Sequence, residues 1–134
     1  MKRFVLTAAF MGSVFALPLI SAHEVPKKIT GIYSDMSYNV EGGDLLGDEI
    51  FLVYSDRGYY VIYQESEGAV YAPIVIPAKV DGSSVSFTLP PSADRPDQPT
   101  GFQGKVINDE LVGTFKFKNT EQTVHLKRKN SYWQ

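Results

Sequence analysis

The chain has no cysteine, only two histidines and a single tryptophan in 134 residues. Without cysteine there is no disulfide framework, no thiolate metal site, no cysteine nucleophile and no acylated N-terminal cysteine. Positive charge is not in excess, since 13 Lys and Arg stand against 15 Asp and Glu. That balance argues against nucleic-acid binding, whose affinity comes largely from phosphate neutralisation. Catalytic signatures are missing as well: the chain has no Gly-X-Ser-X-Gly elbow, no His-Glu-X-X-His and no phosphate-cradling glycine loop. Nothing in the spacing fixes two carboxyl groups at a working separation for acid–base hydrolysis. The expectation is a protein that is not an enzyme and that carries no cofactor.

Long apolar runs are absent except at the start. Met1-Lys2-Arg3 is a basic segment, Phe4 to Ala16 carries no charge, Pro18 breaks a helix, and Ser21-Ala22 precede the first acidic residue, Glu24. This is the layout of a secretory signal peptide. The run to Ile20 is at the short limit for a membrane span. Cleavage is expected after Ala22, leaving residues 23–134 as a single domain in the periplasm or the medium, with no membrane span after processing. Loss of Lys2 and Arg3 leaves a net charge of about −4 on that domain.

Helical periodicity is absent after residue 22, because no window sustains apolar residues at i, i+3, i+4 and i+7. Period-two segments take its place. Val85, Phe87 and Leu89 alternate with Ser84, Ser86 and Thr88; Leu111, Gly113, Phe115 and Phe117 alternate with Val112, Thr114, Lys116 and Lys118. Val124, Leu126 and Arg128 alternate with Thr123, His125 and Lys127. Each reads as a strand with one buried and one wet face. Ile50 to Tyr54 and Tyr59 to Tyr63 are β-branched or aromatic on both sides, which suits strands covered twice or lining a cavity. Ser55-Asp56-Arg57-Gly58, Glu65-Ser66-Glu67-Gly68, Asp81-Gly82 and Asn108-Asp109 supply turn chemistry.

These signals predict an all-β fold of about eight antiparallel strands, over 28–35, 48–55, 58–65, 69–78, 83–89, 101–107, 110–117 and 122–129. Residues 36–47 and 90–100 read as long connections, and Pro73 and Pro77 mark the fourth strand as bent, broken or at an edge. Hairpin following hairpin favours an up-and-down meander closed into a barrel over a β-sandwich.

Gly31-Ile32-Tyr33 resembles the Gly-X-Trp opening of lipocalins and related calycin barrels, with Tyr33 in place of the tryptophan. The resemblance implies that a basic residue of the last strand packs over that ring and closes the barrel base. Arg128, on the inward register of Leu126-Lys127-Arg128, falls in that position, where cation–π attraction and coverage of the open end would both act.

Other candidates come from residue type. Tyrosines crowd residues 33–71, and Tyr54, Tyr60 and Tyr63 lie centrally in the strands expected to line a cavity, where rings and hydroxyls suit a small hydrophobic or aromatic ligand. Because Tyr59, Val61 and Tyr63 share one face and Tyr60, Ile62 and Gln64 the other, the tyrosines cannot all serve one pocket. Asp35, Glu41, Asp44, Asp48 and Glu49 crowd the first long connection, but their spacing fits no calcium-binding frame. A copper site joining His23 and His125 has no supporting motif, with His125 on the outward register; no metal is expected. Tyr132 and Trp133 follow a Lys127-Arg128-Lys129 run. With Asp94, Arg95 and Asp97 they form a peripheral set suited to docking on a protein. The leading expectation is an exported, non-catalytic binding protein holding a small ligand inside the barrel. The alternative is a periplasmic inhibitor or immunity-type protein acting through loops and tail.

Overall fold

The structure is a computed structural model and describes residues 28–91 and 100–134. The predicted signal segment, His23 and the loop residues Asp94, Arg95 and Asp97 lie outside the described residues. Among those described, the chain forms nine strands and no helix: β1 (Gly31–Ser34), β2 (Ser37–Asn39), β3 (Asp44–Ser55), β4 (Gly58–Val70), β5 (Ile74–Asp81), β6 (Ser84–Leu89), β7 (Thr100–Ile107), β8 (Glu110–Lys116) and β9 (Glu121–Arg128).

Every neighbouring pair from β3 to β9 is antiparallel, and β1 pairs with both β3 and β9. That double pairing closes an eight-stranded barrel, with β2 outside the ring as a short partner to the start of β3. A continuous ladder around the circuit leaves no second sheet, so the sandwich alternative does not apply. Closed antiparallel barrels of this kind are consistent with a calycin-like superfamily, which is as far as the topology reaches.

Two strand boundaries differ from the sequence reading. Residues 36–47 are not a free connection: Ser37, Tyr38 and Asn39 pair with Leu46, Leu45 and Asp44. Glu65-Ser66-Glu67-Gly68 is not a turn but the far half of β4, paired with Asp48 to Leu45. Backbone pairing tolerates charged side chains on a wet face, so turn-prone residue types are overridden by the register that β3 imposes. β5 accordingly starts at Ile74, after Pro73. Its ladder with β6 covers only Lys79 to Asp81 and does not extend to Pro77, which has no N–H to donate.

The inward residues form the core. Phe87 and Phe102 stack at 4.6 Å, Phe102 and Phe115 lie 4.8 Å apart, and Phe115 meets Tyr63 at 5.5 Å. Ile50, Leu52, Val61, Leu89, Leu111 and Leu126 are buried around them. Gly104 and Gly113 face each other across β7 and β8, and a Cβ on either would run into the Phe102 ring. Their missing side chains let that ring lie against the wall.

Candidate functional site

At one end of the barrel the Arg128 guanidinium lies over the Tyr33 ring, 4.8 Å from its centroid. Arg128 Nη1 donates to the Thr30 carbonyl, and Nη2 donates to the Lys28 carbonyl and the Tyr33 hydroxyl, each at 2.6 Å. Its Nε stands 3.2 Å from Asp109 Oδ1, an ion-pair distance without hydrogen-bond alignment. Gly31 makes room for this side chain: its φ is +149°, and a Cβ there would collide with Arg128 Nη1. Tyr33 is fully buried and donates to the Ile29 carbonyl at 2.6 Å. Burial pushes its phenol up from the ordinary value, against the pull of the Arg128 charge and with a smaller push from Asp109.

The three tyrosines chosen for a ligand are not brought together. Tyr63 points inward, is 3% exposed, and donates to Asp48 Oδ1 at 2.6 Å while packing on Phe115. Tyr60 pairs with Val53 and Pro77 on the outer face. An extended strand puts residues three apart on opposite sides, so Tyr60 and Tyr63 cannot share a lining. Tyr54 shares the inward register with Leu52, yet it lies at the end of β3, is 66% exposed, and packs on Tyr59 at 4.9 Å. The barrel shape is consistent with a binding protein in general, but its centre holds stacked rings.

The acidic residues of the first expected connection separate. Asp48 and Glu49 are buried, whereas Glu41 and Asp44 are exposed. Among the described residues no three His, Asp or Glu come together as a metal site, and His125 stands 3.7 Å from Glu110 Oε1 on the outside.

The C-terminal segment lies back on the outer wall. Ser131 Oγ donates to Glu49 Oε1 at 2.6 Å, the Tyr132 amide donates to Glu49 Oε2 at 2.9 Å, and the Trp133 indole N–H donates to Gln64 Oε1 at 2.8 Å. Tyr132 and Trp133 meet edge to face at 5.1 Å. Trp133 keeps 54% of its surface exposed and does not enter the barrel.

The tail borders a surface that inspection of residue types alone missed. Cross-strand pairing sets Ile32, Phe51, Ile62 and Val75 in one outer row, and Val53, Tyr60 and Pro77 in the next. Glu49 and Gln64, which hold the tail, form the adjoining row on the other side. Phe51, Val75, Tyr132 and Trp133 are the more exposed members. The period-two pattern of β3 and β4, apolar on both faces, was the available signal. From the far half of β5 to β9 the outer rows are mostly polar instead: Lys79, Ser86, Gln103, Thr114 and Thr123 in one, and Asp81, Ser84, Lys105, Val112 and His125 in the other. Among the described residues no helix is long and apolar enough to cross a membrane. Compared with protein families, curated proteins and solved structures, the chain returns no match.

Proposed function

We propose that this is an exported, non-catalytic binding protein that docks a protein partner on the outside of its barrel, through β1, β3, β4 and β5 and the adjoining C-terminal Tyr132-Trp133 pair. The observation that carries the reading is the apolar outer face formed by the Ile32–Phe51–Ile62–Val75 and Val53–Tyr60–Pro77 rows. A sheet face that looks onto water ordinarily alternates to polar residues, and a contiguous apolar patch on a small domain marks an interaction surface. Tyr and Trp at its border are the residue types that dominate binding energy at such surfaces. The interior-ligand reading is less well supported, because stacked rings occupy the space it needs. Export rests on the basic–apolar–Ser21-Ala22 layout, and absence of catalysis on the absence of any catalytic motif.

A photo-crosslinking amino acid placed at Val75, compared with one at Lys105 on the opposite wall, tests the reading in cells. A discrete adduct at Val75 that is missing at Lys105 and lost in Trp133→Ala supports it. Equal labelling at both sites, or no adduct at Val75, refutes it. Recovery of the processed protein, beginning near His23, from the periplasm or medium tests export; a full-length chain in the membrane fraction would overturn it.

A further inference from the structure

Past their neighbours in the ring, β3 and β4 run on. β1 pairs with β3 only over Glu49 to Leu52, and β5 pairs with β4 only over Tyr59 to Tyr63. From Asp44 to Gly47 and from Ser66 to Gly68 the two long strands pair with each other, and β2 is the strand beside them. The resulting arm, Ser37 to Leu46, reaches roughly 14 Å past the ring, at about 3.4 Å for each residue from Asp48 to Asp44. Asp35 Oδ1 fixes its root by accepting from the Asp48 amide at 2.7 Å. Asn39 fixes its tip: the carbonyl accepts from the Gly43 amide at 2.8 Å, and Oδ1 accepts from the Glu41 and Gly42 amides. The arm therefore holds one shape before anything binds, which lowers the ordering cost of binding.

What the arm displays is apolar on both faces. Ser37, Leu46 and Glu67 form one cross-strand row and Tyr38, Leu45 and Gly68 the next, so the exposed Leu46 and Tyr38 side chains lie on opposite faces. Val40, at the tip, is 83% exposed. The outer edge of β2 is unpaired and offers backbone N–H and C=O groups as well. Carboxylates stand among these side chains. Glu41, Asp44 and Glu67 are exposed, and none has a cationic partner among the described residues. The surroundings do not compensate them, because residues 29–78 hold eight Asp and Glu and a single basic residue, Arg57.

We propose that this arm inserts into the cleft of a basic protein, with Tyr38, Val40 and Leu46 as its apolar contacts and Glu41, Asp44 and Glu67 opposite cations of the cleft. Placement of the apolar groups selects a cleft. A flat partner touches one face of a hairpin, whereas a concave one meets the tip and both faces, as rigid loops do when they enter concave surfaces. Charge complementarity selects a basic partner, and it steers encounter more than it holds the complex together. The inference rests on the reading that the chain docks a protein, but not on the apolar outer face, from which the arm is separated by the row of Glu49 and Gln64 under the C-terminal tail.

A photo-crosslinking amino acid at Val40, compared with one at Val75, tests this in cells, the captured partner being identified by mass spectrometry and then purified. The expected partner has a net positive charge and carries the Val40 cross-link on residues lining a concavity. Its affinity for the protein should fall about tenfold or more when Tyr38→Ser and Val40→Ser are combined. Glu41→Gln with Asp44→Asn should slow association about tenfold at low salt and hardly at all near 0.5 M salt, with dissociation little changed. All four side chains are exposed, so the thermal midpoint should not move. An adduct at Val75 with none at Val40 overturns the arm and leaves the outer face standing; an adduct at Val40 alone supports the arm and removes the outer face; no adduct at either position overturns both. A partner of net negative charge, cross-links confined to a flat surface, or an affinity indifferent to the Tyr38 and Val40 substitutions would each overturn the proposal.

Discussion

Removing the Arg128 side chain should destabilise the barrel by about 3.5–4 kcal/mol, and the structure shows where that figure comes from. The Nη1 bond to Thr30 and the Nη2 bond to the Tyr33 hydroxyl are part-buried, and hydrogen bonds to a charged group contribute about 1.5 kcal/mol each at the low end of their range. The third bond, to the Lys28 carbonyl, is exposed, so water replaces it at little cost. Stacking on the Tyr33 ring adds about 0.5–1 kcal/mol. The Asp109 ion pair adds little, since that carboxylate is 61% exposed. For a domain of about 100 residues, 3.5–4 kcal/mol corresponds to a fall in Tm of roughly 14–32 °C.

Thermal unfolding of wild type, Arg128→Ala, Arg128→Lys and Asp109→Ala reads this out. Arg128→Ala should show the full loss. Lysine, a single point donor in place of a planar fork, should recover less than half of it. Asp109→Ala should stay within about 3 °C of wild type. An unchanged midpoint for Arg128→Ala would refute the reasoning, because it would mean that β1 and β9 close the barrel without the guanidinium. A loss in Asp109→Ala as large as that in Arg128→Ala would show that the ion pair, and not the carbonyl bonds and stacking, carries the closure.

Three further outcomes follow from single contacts. Because burial raises the Tyr33 phenol above its ordinary value of 10.0, the native state keeps a proton that the unfolded chain gives up; stability is intact below pH 10 and declines above it, and urea midpoints across that range should decline less in Tyr33→Phe. Gly113→Ala forces a methyl into the Phe102 ring and toward the Gln103 carbonyl, so it should cost about 1–3 kcal/mol by chemical denaturation, as overpacking does. Glu49→Ala removes both acceptors that hold Ser131 and Tyr132, so the fluorescence anisotropy of Trp133 should fall; an unchanged value would mean that the Gln64 contact alone fixes the tail.

The legible part of the fold was the part governed by local alternation. Ser84 to Leu89, Glu110 to Lys116 and Glu121 to Arg128 are strands because one side of each is apolar and the other wet, and Asn108-Asp109 turns between two of them with φ of 49° and 64°. The meeting of Tyr33 with Arg128 was legible through the resemblance to the calycin opening, with Arg128 on the inward register of the last strand. What was not legible depended on partners distant in sequence. Glu65 to Gly68 carries turn chemistry, yet it extends a ladder whose other rail is Leu45 to Asp48. Glu49 reads as a solvated acid, yet it is buried and accepts from residues 131 and 132, more than eighty positions later. Tyr60 misled for a simpler reason: residue type suggested a lining, whereas strand parity places it outside.

The doubly apolar character of β3 and β4 ties these observations together. Two explanations suit such a strand, cover on both faces or a cavity on one. The inner face of this pair packs on Phe115 within the core, which favours cover over a cavity. On the outer face, the chain's own tail reaches the row of Glu49 and Gln64, and the proposed docking face lies beyond it. The rows of Phe51 and Val53 stay uncovered. By contrast, β6 to β9 carry mostly hydroxyls, amides and charges outward, with Ile107 and Val112 as apolar exceptions. The apolar and the mostly polar outer rows thereby fall on different strands of one barrel, β1 and β3 to β5 against β6 to β9. Since stability comes from the inward set, outward substitutions such as Val75→Ser and Lys105→Gln should alter one surface without disturbing the other or the fold.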